Sequence, residues 1–280
     1  MTGTLKQLGR TGLLLTGFLL VAPAPGGASH ESFVVYEDWT TSETLRSDRW
    51  TVQEGGPAQD GALEIKGHQL VMRQRREGTT TSNAGSTGAV QGILARNPSA
   101  IDQMEADFKV RNMTVSGCAV NPGLTMVRPA LLSFSAFNDG SPGGQTGDHS
   151  IGVQVNGPAD SVDPSGVMTV QGYVVRCSNP TCSIGSSSIF NLAVATVLVS
   201  EPFTLRAIWD RPNNRFLVGV NGNPDVVLAY DPALDSANAR VPVASVRAAM
   251  LAANCTAGPA VADAEIAIQE VRTNLSAIIP

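Results

Sequence analysis

The residues best suited to chemistry in this sequence are scattered carboxylates, four cysteines and three histidines. Glu105 and Asp107 stand two positions apart in Met104-Glu-Ala-Asp-Phe-Lys-Val110, a stretch whose apolar residues alternate. On a strand, that spacing puts both carboxyls on one face, where a pair can divide acid and base duties. A second group lies in Asn138-Asp-Gly-Ser-Pro-Gly-Gly-Gln-Thr-Gly-Asp148-His149. Asn138, Asp139 and Asp148 offer hard oxygen ligands of the kind Ca²⁺ takes, although their spacing matches no familiar calcium loop. The histidines (His30, His68 and His149) do not cluster with any cysteine, and no G-x-S-x-G elbow occurs. Zinc chemistry and Ser-His-Asp catalysis are therefore not indicated.

The cysteines have a simpler use. Cys177 and Cys182 bracket Ser-Asn-Pro-Thr, a turn sequence, and are expected to form a local disulfide; Cys118 is then left to pair with Cys255. That expectation presupposes an oxidising compartment. The N-terminus supports one. Lys6 and Arg10 precede the apolar run Thr11 to Ala22, which is too short to span a bilayer and is followed by small residues. Residues 1–28 read as a signal peptide cleaved after Ala24 or Ala28, leaving a secreted or periplasmic protein with no membrane span. The formal charge of −5 argues against nucleic acid as a partner. The one dense basic run, Arg73-Gln74-Arg75-Arg76, reads as a solvated strand end.

The elements that must position these residues are short and β-like. Phe33–Tyr36, Trp50–Val52, Ala62–Lys66 and Gln69–Met72 come first, the last two joined at Lys66-Gly67-His68. Glu77 to Gly88 reads as a loop. Ala130–Phe137, Ser150–Val155 and Val167–Val175 follow, then Phe203–Trp209 and Arg215–Val220 around the turn Asp210-Arg-Pro-Asn-Asn214, and finally Ala264–Val271. Ala244–Ala253 is predicted helical, and Ile189–Val199 fits either a strand or a helix. Many short strands with almost no helix mean a sandwich or a barrel, and residues 29–280 suffice for one such domain.

Several of these segments resemble the concanavalin A-like lectin and glucanase domains. The resemblance rests on Asp38-Trp39, Leu45-Arg-Ser-Asp-Arg-Trp50 and Gln59-Asp-Gly-Ala-Leu-Glu-Ile65 at the start, and on Phe203–Asp210 with Phe216–Gly222 near the end. The closing strand, Ala264–Val271, is similar to the one that pairs back to the first in those domains. The resemblance implies an all-β, two-sheet antiparallel jelly-roll sandwich over about residues 33–275. It does not transfer an activity, because lectins, binding modules, hydrolases and lyases share this fold.

The family's retaining glucanases carry Glu, Asp and Glu at alternate strand positions. Glu105 and Asp107 match two of these, but Lys109 stands in the third place. Lectins of the fold can hold Ca²⁺ through loop oxygens, which is where Asn138, Asp139 and Asp148 would serve; no cofactor is otherwise implied. Of the aromatic residues, Trp50 and Trp209 read as core, leaving Tyr173 with Arg176 as the expected ligand-facing pair. The leading functional expectation is a non-catalytic module for an extracellular glycan or polysaccharide. The alternatives are a polysaccharide hydrolase or lyase using Glu105 and Asp107, and a structural envelope or matrix protein.

Overall fold

The computed structural model describes residues 32–56, 60–161, 166–182 and 187–275; residues 1–28, expected to be a signal peptide, lie outside them. In chain order the strands are β1 (Val34–Glu37), β2 (Trp50–Gly55), β3 (Asp60–Ile65), β4 (Leu70–Glu77), β5 (Ser86–Ala95) and β6 (Gln103–Ser116). Then come β7 (Met126–Asn138), β8 (Asp148–Pro158), β9 (Val167–Arg176), β10 (Ser187–Leu198) and β11 (Pro202–Asp210). The rest are β12 (Arg215–Val220), β13 (Val226–Ala229), β14 (Ala237–Asn238), β15 (Ala244–Ala253) and β16 (Val261–Thr273). They form two antiparallel sheets in jelly-roll fashion. One, the β6 sheet, runs β13-β12-β11-β6-β16-β4-β3, with β1 added on β16; the other, the β8 sheet, runs β10-β9-β8-β7-β15-β5-β2, with β14 on β7.

Alternation builds the core. Ile151, Val153 and Val155 of β8 point inward and are fully buried, packing across the sandwich towards β11 and β12, whose Leu205, Ala207, Phe216 and Val218 belong to the same core. Each large apolar side chain so buried contributes roughly 1.5–3 kcal/mol, which is what fixes the register of every strand. Trp50 is buried, as expected, and packs edge-on against Tyr36. Trp209 is only half-buried; its indole N–H donates to the Tyr230 hydroxyl at 2.9 Å, and the Arg211 guanidinium lies 4.9 Å from its ring. The β3–β4 hairpin turns at Gly67 and His68, both with positive φ, as a two-residue turn between right-twisted strands requires.

Two expectations need correction and one open reading is decided. Ala244–Ala253 is strand β15, not a helix. Its Ala244, Val246, Ala248, Met250 and Ala252 all face inward with no exposed surface, so packing between β7 and β5 overrides the helical preference of alanine. The ambiguous Ile189–Val199 segment belongs almost wholly to β10. The basic run is not a uniformly solvated strand end. Arg73 and Arg75 point outward to Glu265 and Asp263, while Gln74 and Arg76 of β4 turn inward and are buried.

Both disulfides form: Cys118–Cys255 with Cα atoms 5.7 Å apart, and Cys177–Cys182 at 4.8 Å. Among the described residues, no helix is long and apolar enough to cross a membrane.

Candidate functional site

Glu105 and Asp107 share the outward face of β6. Arg206 on β11 and Arg272 on β16 stand beside Glu105 in register. Arg272 spans the pair, its two terminal nitrogens lying 2.5 Å from Glu105 Oε1 and 2.7 Å from Asp107 Oδ2. Asp107 also accepts from the Thr204 hydroxyl at 2.6 Å, and Glu270 contacts the same Arg272 guanidinium. Arg206 in turn is bound by Asp225 at 2.5 Å. The two carboxylates are thus joined through one arginine within an ionic lattice on the open face of the β6 sheet.

The Asn138–His149 loop is equally self-satisfied. Asp148 is buried and accepts from Asn138 Nδ2 (2.7 Å) and from the backbone N–H groups of Arg240 (2.9 Å) and Val241 (3.1 Å). Asn138 Oδ1 accepts from the Gly140 N–H, and Asp139 is paired with Arg176 at 2.5 Å. Burial would push the Asp139 carboxyl upward, but hydrogen bonds from Arg176 and Ser141 outweigh it and hold the group at about 2. The oxygens suited to Ca²⁺ are therefore engaged by protein donors.

Tyr173 and Arg176, three residues apart on β9, emerge on opposite faces. Arg176 is drawn to Asp139, whereas Tyr173 lies on the outward face of the β8 sheet. There a single rung crosses the sheet through Tyr173, Gly152, Ser133 and Ser245. The phenol ring lies over Gly152, where a side-chain carbon would fall 2.3 Å from it. One strand further on, Arg247 of β15 leans over Gly92, where an added carbon would meet its Cγ at 2.6 Å. The Arg247 guanidinium then donates to Ser133 Oγ at 2.9 Å, and Ser133 also hydrogen-bonds Ser245 at 3.0 Å. Two glycines thus leave room for one aromatic and one cationic side chain to converge on one serine.

Tyr173, Ser133 and Arg247 line a groove of about 380 Å³, walled by Gln53 on one side and by the Cys177–Cys182 turn on the other. Gln145 N–H to Pro180 O (2.9 Å) and Gly147 N–H to Cys177 O (2.8 Å) lock the loop after β7 onto that turn. Burial raises the Tyr173 hydroxyl above its ordinary value, opposed by the nearby Arg247 and Arg128 charges and by Ser133, so the phenol is neutral and can donate. Outward-facing β8 positions along the floor read Asp148, Ser150, Gly152 and Gln154. Only Asp148 among them is a carboxylate, and it is tied down as described. Arg247 went unnoticed in the sequence because its segment read as helical. A lone arginine among small residues in Ala-Ser-Val-Arg-Ala-Ala was the available signal.

No protein-family model matches the chain, and no curated protein matches it in sequence. Solved structures do match. SCLam, a non-specific endo-beta-1,3(4)-glucanase from family GH16, is similar at a TM-score of 0.50 and 15% identity over 86% of this chain and 90% of that one. The laminarinase from Flavobacterium sp. UMI-01 is similar at a TM-score of 0.50 and 12% identity, over 86% and 99% of the two chains. The chain has the concanavalin A-like jelly-roll fold.

Proposed function

We propose that the protein is an exported, glycan-directed sandwich whose ligand occupies the groove over the β8 sheet. The observation that carries this reading is the convergence of Tyr173 and Arg247 on Ser133, each laid across a glycine. An aromatic surface beside polar donors is how a protein face grips a sugar ring. Binding rather than cleavage fits the groove's own residues. Glycoside hydrolysis through an acid–nucleophile pair needs two carboxyls about 5–5.5 Å apart, or about 6.5–9.5 Å apart for inversion, and the β8 floor supplies one. The two disulfides support an oxidising compartment, and the apolar run Thr11–Ala22 would supply the route to it.

Hydrolysis or lyase action is the second reading. In its favour, the solved structures similar to this chain include an endo-beta-1,3(4)-glucanase and a laminarinase, and the likeness extends over nearly the whole of both chains. Glu105 and Asp107 would then have to act on the opposite sheet, freed from Arg272.

One pair of measurements separates the readings. Polysaccharide binding by the mature protein, weakened by Tyr173→Ala and unaccompanied by new reducing ends or unsaturated products, supports the first. Product release abolished by Glu105→Gln establishes the second. Silence in both assays leaves a structural envelope or matrix role.

A further inference from the structure

The two open faces of the sandwich treat their arginines differently. On the β6 sheet, Arg73 and Arg111 share Glu265, Arg75 meets Asp263, Arg206 meets Asp225, and Arg272 meets Glu105 and Asp107. On the β8 sheet, Arg247 and Arg128 have no carboxylate within 4 Å among the described residues. Arg247 donates to Ser133, and Arg128 Nε makes a 3.4 Å contact with the Met126 sulfur. Arg247 lines the groove beside Tyr173, and the Arg128 charge acts on the Tyr173 hydroxyl from further along β7. The Arg247 Nε–H is buried without a partner.

Acids are plentiful in this chain, which carries a formal charge of −5, yet among the described residues none pairs with these two cations. The one carboxylate lining the groove, Asp148, is consumed by Asn138 and two backbone N–H groups. A half-buried guanidinium without a carboxylate partner is costly until an anion meets it, and its planar fork suits a carboxylate or sulfate.

We infer that the groove over the β8 sheet selects an acidic glycan, with Arg247, seconded by Arg128, receiving a uronate carboxylate or a sulfate ester beside Tyr173. This rests on the glycan-directed reading above and narrows it to one class of polymer.

Titration of the mature protein with polygalacturonate, a sulfated galactan and neutral laminarin, at low and high salt, tests the assignment. The expected result is binding to one or both acidic polymers that weakens as salt rises, with laminarin bound at least about tenfold more weakly. The acidic polymer preferred tells carboxylate from sulfate recognition. Arg247→Gln should lower that affinity by about tenfold or more, and Arg247→Lys should restore part of it. Arg75→Gln, on the other sheet, should leave it unchanged. Should Arg247→Gln fail to fold, Arg128→Gln and the salt dependence of the unaltered protein still decide. Equal or tighter binding of laminarin overturns the inference while leaving the glycan-directed reading standing; no binding to any of the three overturns both. Acidic binding that is unmoved by Arg247→Gln and Arg128→Gln removes it from this groove.

Discussion

Tyr173 reaches over Gly152, its direct partner in the β8–β9 ladder, and the end of its ring occupies the space a side chain at 152 would need. Any larger residue there must displace the ring or the strand. Gly152→Val is expected to destabilise the protein by roughly 1–3 kcal/mol, the usual cost of overpacking. It should also abolish ligand binding by lifting Tyr173. Urea unfolding beside a binding titration checks both, and a Gly152→Val protein that kept its stability and binding would show that the ring is not held there.

The Cys118–Cys255 bridge ties residues 137 positions apart. Replacing both cysteines with alanine should cost about 2–5 kcal/mol, and the five-residue Cys177–Cys182 link should matter less to global stability. Because that shorter link walls the groove, its loss should show more in binding than in unfolding. Peptide mapping without reductant should recover both bridges and no crossed pair.

Acid should act through Asp139. Arg176 and Ser141 hold its carboxyl at about 2, below the ordinary value of 3.8. A group depressed in the folded state stabilises fully above its ordinary value, and that contribution fades as pH falls from about 4 towards 2. Asp139→Asn should flatten this part of the stability–pH curve without altering the neutral and alkaline range, as thermal melts across acid pH would register.

Arg272 offers a separate test of the β6 face. It contacts Glu105, Asp107 and Glu270 at once, so Arg272→Ala leaves three carboxylates facing one another. A stability loss of about 1–3 kcal/mol is expected, smaller at low pH where the acids protonate. If glycan binding is unaffected, this lattice supports the fold and takes no part in recognition.

How far the sequence reveals this protein depends on what each residue faces. Alternation in Ser150–Val155 and Ala264–Val271 discloses strands because one side of each is buried apolar surface and the other is not. In Ala244–Ala253 both sides are small, the alternation vanishes, and the strand that carries Arg247 is hidden with it. Tyr173 was identifiable as an aromatic residue on a central strand. Its pairing with Arg176 was not sound, since residues three apart on a strand point to opposite sides. Glu105 and Asp107 do share a face, but no local pattern says which of two sheets carries the groove. Nor could it foretell that Arg272, so far along the chain, lies between them.

The pairing of β1 with β16 has a consequence for how the molecule is made. Val34 meets Thr273, so β1, the first of the described strands, has a partner that is synthesised after all the others described. Until then β16, which runs between β6 and β4, is missing from the middle of its sheet, leaving two unjoined edges. The sandwich therefore cannot close progressively from its N-terminal end. Such long-range pairing makes for slow folding once β16 is available, during which those edges are exposed to other chains.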